Sequence, residues 1–168
     1  MLIFGIDPGF ANSPTGIALV QLDEAHACLV GHWTLMAAGG DWQSRCDRIL
    51  TQLAYLLVAY VPRRPSLAYE LGWVGANAQS GLKLRDLGGG VRGLAAAFGL
   101  DCIGVQPAES KRALARAGNA DKAAMCAAAR ARFGVVLSEH EADAAGHALA
   151  GAALLQARRG LTAQGGRA

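Results

Sequence analysis

Leu2-Ile3-Phe4-Gly5-Ile6 is an unbroken run of strand formers that ends on Asp7 and the turn-forming Pro8-Gly9, which predicts a short strand carrying a carboxylate at its carboxyl end. Strand-like segments follow over Thr15 to Leu22 and Ala27 to Leu35, joined by the polar Asp23-Glu24, so the first three strands read as a meander. From Asp41 to Val61 the residues Ile49, Leu50, Leu53, Leu56 and Leu57 recur at three- and four-residue steps, with Arg45, Asp47, Arg48 and Gln52 between them. That spacing predicts an amphipathic helix, closed by Pro62. Leu67 to Glu70 reads as a buried strand ending on a second carboxylate, and Asp101 to Gln106 as a strand ending before Pro107.

The remaining segments are helical. Asn77 to Phe98 contains Gly88-Gly89-Gly90, and each glycine costs about 1 kcal/mol against alanine inside a helix, so the helix is either broken there or closely approached by a neighbour. Ala108 to Ala117 and Ala120 to Phe133 are alanine-rich and basic. In Ser138 to Arg159, Ser138 and Glu141 fit the S-x-x-E capping box, which sets the first helical residue at Glu139. Residues 160–168 read as a flexible tail. With no repeat and no linker, residues 1–159 describe a single α/β domain with five strands. Ligand chemistry in an open α/β sheet gathers at the carboxyl ends of the strands, where Asp7 and Glu70 both fall.

Composition narrows the picture without deciding it. A chain of 168 residues, 52% hydrophobic, is long enough to bury roughly 70% of its unfolded surface around one core. A net charge of +3 and a pI near 8.8 permit a polyanionic partner but do not require one. Cys28, Cys46, Cys102 and Cys126 form no C-x-x-C pair, and are expected to be reduced and mostly buried. No segment reads as a signal peptide or a membrane span, so a cytoplasmic protein without a membrane partner is expected.

His140 and Asp143, three residues apart, share one helix face, and the acids could be no more than the expected charge of a first helical turn. Taken with Asp7 and Glu70, the pair could instead complete a site for two hard divalent ions, the apparatus of phosphodiester hydrolysis. On residue types alone, capped turns or surface ion pairs serve equally well.

The chain resembles the RuvC-type Holliday-junction resolvases of the RNase H-like superfamily. The resemblance runs from residue 2 to about 155 and rests on an ordered set: F-G-I-D-P-G at Phe4 to Gly9, T-G at Thr15-Gly16 and Y-E-L-G-W-V-G-A-N-A-Q-S-G-L-K-L at Tyr69 to Leu84. Q-P-A-E-S-K at Gln106 to Lys111, G-N-A-D-K at Gly118 to Lys122 and H-E-A-D-A at His140 to Ala144 complete it.

The resemblance implies an RNase H-like fold, a mixed five-stranded sheet flanked by helices. It also implies a homodimeric endonuclease that resolves four-way DNA junctions with Mg²⁺ or Mn²⁺, two ions per site, in company with a branch-migration helicase. It places the metal and catalytic residues on Asp7, Glu70, His140 and Asp143, with His140 where the family usually has Asp. An alternative register that moves Asp143 to the earlier slot loses the later one to Gly146. Trp73 takes the place of the family's base-stacking aromatic, and Lys83, Lys111 and Lys122 those of its DNA-contacting lysines, with Asn77, Arg85, Arg112 and Arg116 as DNA-binding neighbours. The turn from Phe10 to Pro14 is longer than the family's, and His147 is expected to be an ordinary helix-face residue.

Two other readings stay open: an RNase H-like nuclease acting on other branched DNA or on RNA, and a non-catalytic junction-binding protein. A sugar kinase or ATPase of the actin-like type would need two such domains, more than this length can build. The apolar residues Leu82, Leu87, Val91, Leu94 and Ala95 exceed what a solvent-facing helix needs, and point to a dimer surface on that helix.

Overall fold

The computed structural model describes the chain except for residues 10–12, 25, 38, 73–77 and 166–168, with the backbone alone for 78–80 and 162–165. Strands β1 (Leu2–Asp7), β2 (Thr15–Leu22) and β3 (Ala27–Leu35) form the expected meander. Helix α1 (Trp42–Tyr60) and a 3-10 turn lead to β4 (Ser66–Glu70), α2 (Ala78–Ala97) leads to β5 (Cys102–Val105), and α3 (Pro107–Ala115), α4 (Lys122–Phe133) and α5 (Glu139–Gly165) follow. The five strands make one mixed sheet in the order β3-β2-β1-β4-β5, antiparallel through the meander and parallel from β1 to β4 to β5.

Strand alternation divides the interior into two cores. Leu2, Phe4 and Ile6 of β1 and Leu67 and Tyr69 of β4 face one way, onto Ile49, Leu53 and Leu57 of α1 and Leu87, Val91 and Ala95 of α2. Ile3 and Ala68 face the other way, onto α5. Helices α3 and α4 then cover the outer side of α5 through Leu114, Met125 and Ala129, so α5 lies between the sheet and a further helical layer. That is why its first five turns are alanine-rich on every side, with Ala142, Ala144, Ala145, Ala148, Ala150 and Ala152 all buried. α5 continues to Gly165, past the Arg159 end read from the sequence.

In α2 one of the two alternatives for the glycine run holds, and the expected dimer stripe changes. The helix runs unbroken through Gly88-Gly89-Gly90, because the ring of Tyr69 packs where a Gly88 side chain would stand and Leu50 does the same at Gly90. Leu87, Val91 and Ala95 are the floor of the protomer's own core rather than a surplus apolar surface, and Leu94 packs against that core, while Leu82 is exposed. Of this stripe, Leu82 is thus left to offer an exposed apolar surface to a second copy. The cysteines are free, as expected, but Cys28 is exposed. Among the described residues, no helix is long and apolar enough to cross a membrane.

Candidate functional site

Asp7 and Glu70 are the last residues of two adjacent parallel strands, paired up to Ile6 and Tyr69. By alternation both carboxylates fall on the α5 side of the sheet, with Ile3 and Ala68. The N-terminal half of α5 crosses directly above them. Its start is set by the capping box: the Ser138 amide donates to Glu141 Oε2 at 2.9 Å and the Glu141 amide to Ser138 Oγ at 3.3 Å. Glu141 is fastened to the sheet as well, accepting from Thr34 at 3.1 Å and lying 3.0 Å from His32 Nδ1. Burial would raise its pKa, but the bonds from His32 and Ser138 outweigh that and hold it below the ordinary carboxylate value.

Glycines bring the helix backbone against the strands. The Ala144 carbonyl rests on Gly5 and the His140 carbonyl on Gly16, each occupying the volume of the missing Cβ. The stripe His140, Asp143 and His147, at helical spacings of three and four, then points at the two strand-end acids.

His140 Nδ1 lies 2.7 Å from Asp7 Oδ2. His147 Nε2 stands 3.7 Å from Asp7 Oδ1 and 3.6 Å from Glu70 Oε2, beyond hydrogen-bonding length. Asp7 is therefore flanked by an imidazole on each oxygen. Its burial favours the neutral acid, yet the hydrogen bond from His140 and the nearness of His147 more than offset this and lower its pKa. His140 shifts upward for the reciprocal reason, its bond to Asp7 outweighing partial burial. In the absence of a cation, the direct carboxylate partner thus outweighs the positive end of the helix dipole. Asp143 is pushed up to about 6, first by burial and then by the negative charge of Asp7.

His147 is the residue the sequence reading misplaced. Far from being an ordinary helix-face side chain, it is 2% exposed, and neither ring nitrogen has a hydrogen-bond partner. Nε2 is left in ion-pair range of Asp7 and Glu70 and Nδ1 has no partner among the described residues, and a buried donor or acceptor without a hydrogen bond costs about 1–3 kcal/mol. Burial disfavours its charged form, but Asp7 and Glu70 prevail and raise its pKa to about 9. A divalent cation would take over that positive charge and displace the proton, because only a neutral ring ligates. Asp7, Glu70 and His147 each offer a ligand atom, all within 4.8 Å of one another. The orphaned nitrogens and the crowded acids both fit a cation. The only cue to His147 in the sequence was its place on the stripe with His140 and Asp143.

The basic residues divide. Lys122 is exposed beside the site, pairs with Glu139 at 2.6 Å and feels the charges of Asp143 and Asp7, while Lys111 on α3 is near enough to Asp143 to oppose its upward shift. Arg112 is exposed on the same helix as Lys111. Lys83 sits 6.0 Å from the ring of Trp42 on α1, and Arg85 is exposed further along α2. Trp73 and Asn77 lie outside the described residues, as do Phe10 to Asn12 of the longer turn.

Comparison with known proteins agrees with this architecture. A family model described as crossover junction endodeoxyribonuclease RuvC matches residues 3–154. The RuvC of Chloroherpeton thalassium is 34% identical over 124 residues, covering 73% of this chain and 64% of that protein, and the RuvC of Xanthomonas euvesicatoria is 35% identical over 122 residues, covering 71% and 68%. The chain thus spans slightly under two thirds of the Chloroherpeton relative. A solved structure of T. thermophilus RuvC in complex with a Holliday junction substrate is 26% identical, with a TM-score of 0.77 over 95% of this chain and 96% of that one.

Proposed function

Since the chain belongs to the crossover junction endodeoxyribonuclease RuvC family, we propose that it is a metal-dependent endonuclease that resolves four-way DNA junctions by paired hydrolysis of phosphodiester bonds. The observation that carries this reading is the convergence of Asp7 and Glu70 with His140, Asp143 and His147 of α5 at the carboxyl ends of β1 and β4. Divalent cations held by these residues, Mg²⁺ or Mn²⁺ and two per site, would supply the positive charge that activates water and steadies the leaving oxygen.

The chain's own groups do the rest. Asp7 directs its two oxygens to opposite sides of the site. With the proton on Nδ1 donated to Asp7, neutral His140 keeps the one lone pair of Nε2, either to ligate a cation or to accept a proton from the attacking water. Lys111 and Lys122 bring positive charge to the rim, where Lys122 would exchange Glu139 for a DNA phosphate. Arg112, Lys83 and Arg85 extend the DNA contacts, and Trp73 and Asn77 act at the junction centre. Two-fold symmetry of the junction calls for two sites, which a homodimer provides. A branch-migration helicase is the further partner, and the cytoplasm the place of action.

The deciding experiment is single-turnover cleavage of a four-way junction, a flap and an RNA–DNA hybrid in parallel, each with a gel-shift measurement. Paired nicks confined to the junction are expected. A junction shifted but left intact in either metal would reduce the protein to a binding module, and preferential cutting of flap or hybrid would reassign the substrate.

His140 supports a second expectation. Imidazole suits Mn²⁺ better than Mg²⁺, which prefers oxygen donors. Cleavage is expected to be severalfold faster in Mn²⁺, and His140→Asp should shrink that ratio toward one, measured across pH 6 to 9. Equal rates for wild type and His140→Ala in both metals would make His140 a bystander.

A further inference from the structure

Beyond the four residues that match the family's metal positions, the geometry points to His147 as a nitrogen ligand which, with Asp7 and Glu70, binds one divalent cation at the floor of the site. The inference rests on the metal-dependent reading given above and adds a ligand to it. Three observations carry it.

The first is position. His147 Nε2 is nearly equidistant from Asp7 Oδ1, at 3.7 Å, and Glu70 Oε2, at 3.6 Å. With ligand bonds of about 2.1 Å, donors around one ion stand about 3.0 Å apart when adjacent and about 4.2 Å when opposite, so the two spacings fall within the range one ion can span. The second is isolation. The ring is 2% exposed and neither nitrogen has a hydrogen-bond partner, whereas the neighbouring Ser110 and Ser138 hydroxyls and the Glu141 carboxylate are all hydrogen-bonded. A ring kept only for its volume would have no need of a nitrogen, Nε2, set between two carboxylates. The third is the division of labour on Asp7, whose Oδ2 is taken up with His140 while Oδ1 faces His147. One carboxylate thus has a separate imidazole on each side.

The ligand chemistry sets the preference. A floor with two oxygens and one buried nitrogen favours Mn²⁺ and other transition-type divalent ions over Mg²⁺. It also explains why His140→Asp should shrink, but not erase, a Mn²⁺ preference.

The test uses the full chain with ¹⁵N-labelled histidine and Mn²⁺ as probe. In His140→Asp the nearest remaining imidazole is His147, so pulsed EPR of the Mn²⁺ complex is expected to retain the coupling of a directly bonded histidine ¹⁵N. The coupling should vanish in His140→Asp with His147→Gln, checked for folding by circular dichroism. Calorimetry of His147→Gln should show Mn²⁺ affinity weakened on the order of tenfold or more, with a smaller change for Mg²⁺. Absence of histidine coupling in His140→Asp would overturn the assignment. So would failure of that variant to bind Mn²⁺, since Asp7, Glu70 and His147 should suffice to hold an ion. Because His140→Asp leaves His147 in place, the outcome does not depend on whether the buried variant folds. A failure of the nuclease reading would look different: nitrogen-coupled Mn²⁺ on a wild-type protein that leaves junctions uncut.

Discussion

Asp7→Asn should lower single-turnover junction cleavage on the order of a thousandfold or more, while junction affinity at fixed salt stays within a few-fold of wild type. The asymmetry follows from where the charge sits. Asp7 is 6% exposed at the end of β1, with His140 on one oxygen and His147 facing the other, so any cation in the site is bound beside it. Asparagine keeps the shape but removes the negative charge, and its amide nitrogen would meet one of the two rings with no lone pair to offer. Affinity for DNA comes mainly from lysine and arginine contacts to phosphates, which the substitution leaves alone. Glu70→Gln and Asp143→Asn should behave alike. Cleavage by Asp7→Asn within tenfold of wild type would remove this residue from the chemistry.

A single methyl group at Gly5 should do comparable damage by a purely steric route. A Cβ there would overlap the Ala144 carbonyl oxygen and stand 2.7 Å from the Ala148 amide nitrogen, both backbone atoms of α5 that no rotamer change can move. The helix must lift from the sheet or tilt, and overpacking of this kind costs about 3 kcal/mol. Urea unfolding of Gly5→Ala should register that loss, and cleavage should fall further than the folded fraction, because the lift carries His140, Asp143 and His147 away from Asp7 and Glu70. Gly89→Ala is the counterpart with the opposite sign. Nothing lies within 4 Å of its Cβ position inside α2, so the substitution should stabilise by about 0.5–1 kcal/mol. If the two variants unfold at the same urea concentration, the close approach at Gly5 is not what holds α5 in register.

Much of this could be read from the chain because the relevant signals are local. The ends of β1, β2 and β3 coincide with changes of apolar pattern, and the start of α5 follows from Ser138 and Glu141, which act within one turn. Asp7 and Glu70 could be placed at strand ends, and His140 and Asp143 on one helix face, before any packing was known. What stayed hidden depends on contacts between distant segments. His147 sits in an alanine run that marks it as helical but carries no mark of the two acids beneath it. Gly88 and Gly90 of α2 make sense only against Tyr69 and Leu50, and most of the apolar stripe that suggested a dimer is consumed by the protomer's own core.

The bond between Asp7 and His140 joins residues 133 positions apart. During synthesis the acids of β1 and β4 leave the ribosome long before α5 does, and such long-range contacts are the slow ones to close. A nascent chain that carries the complete meander but not α5 still lacks His140, Asp143 and His147, so under the proposed nuclease reading it should leave DNA uncut until α5 docks.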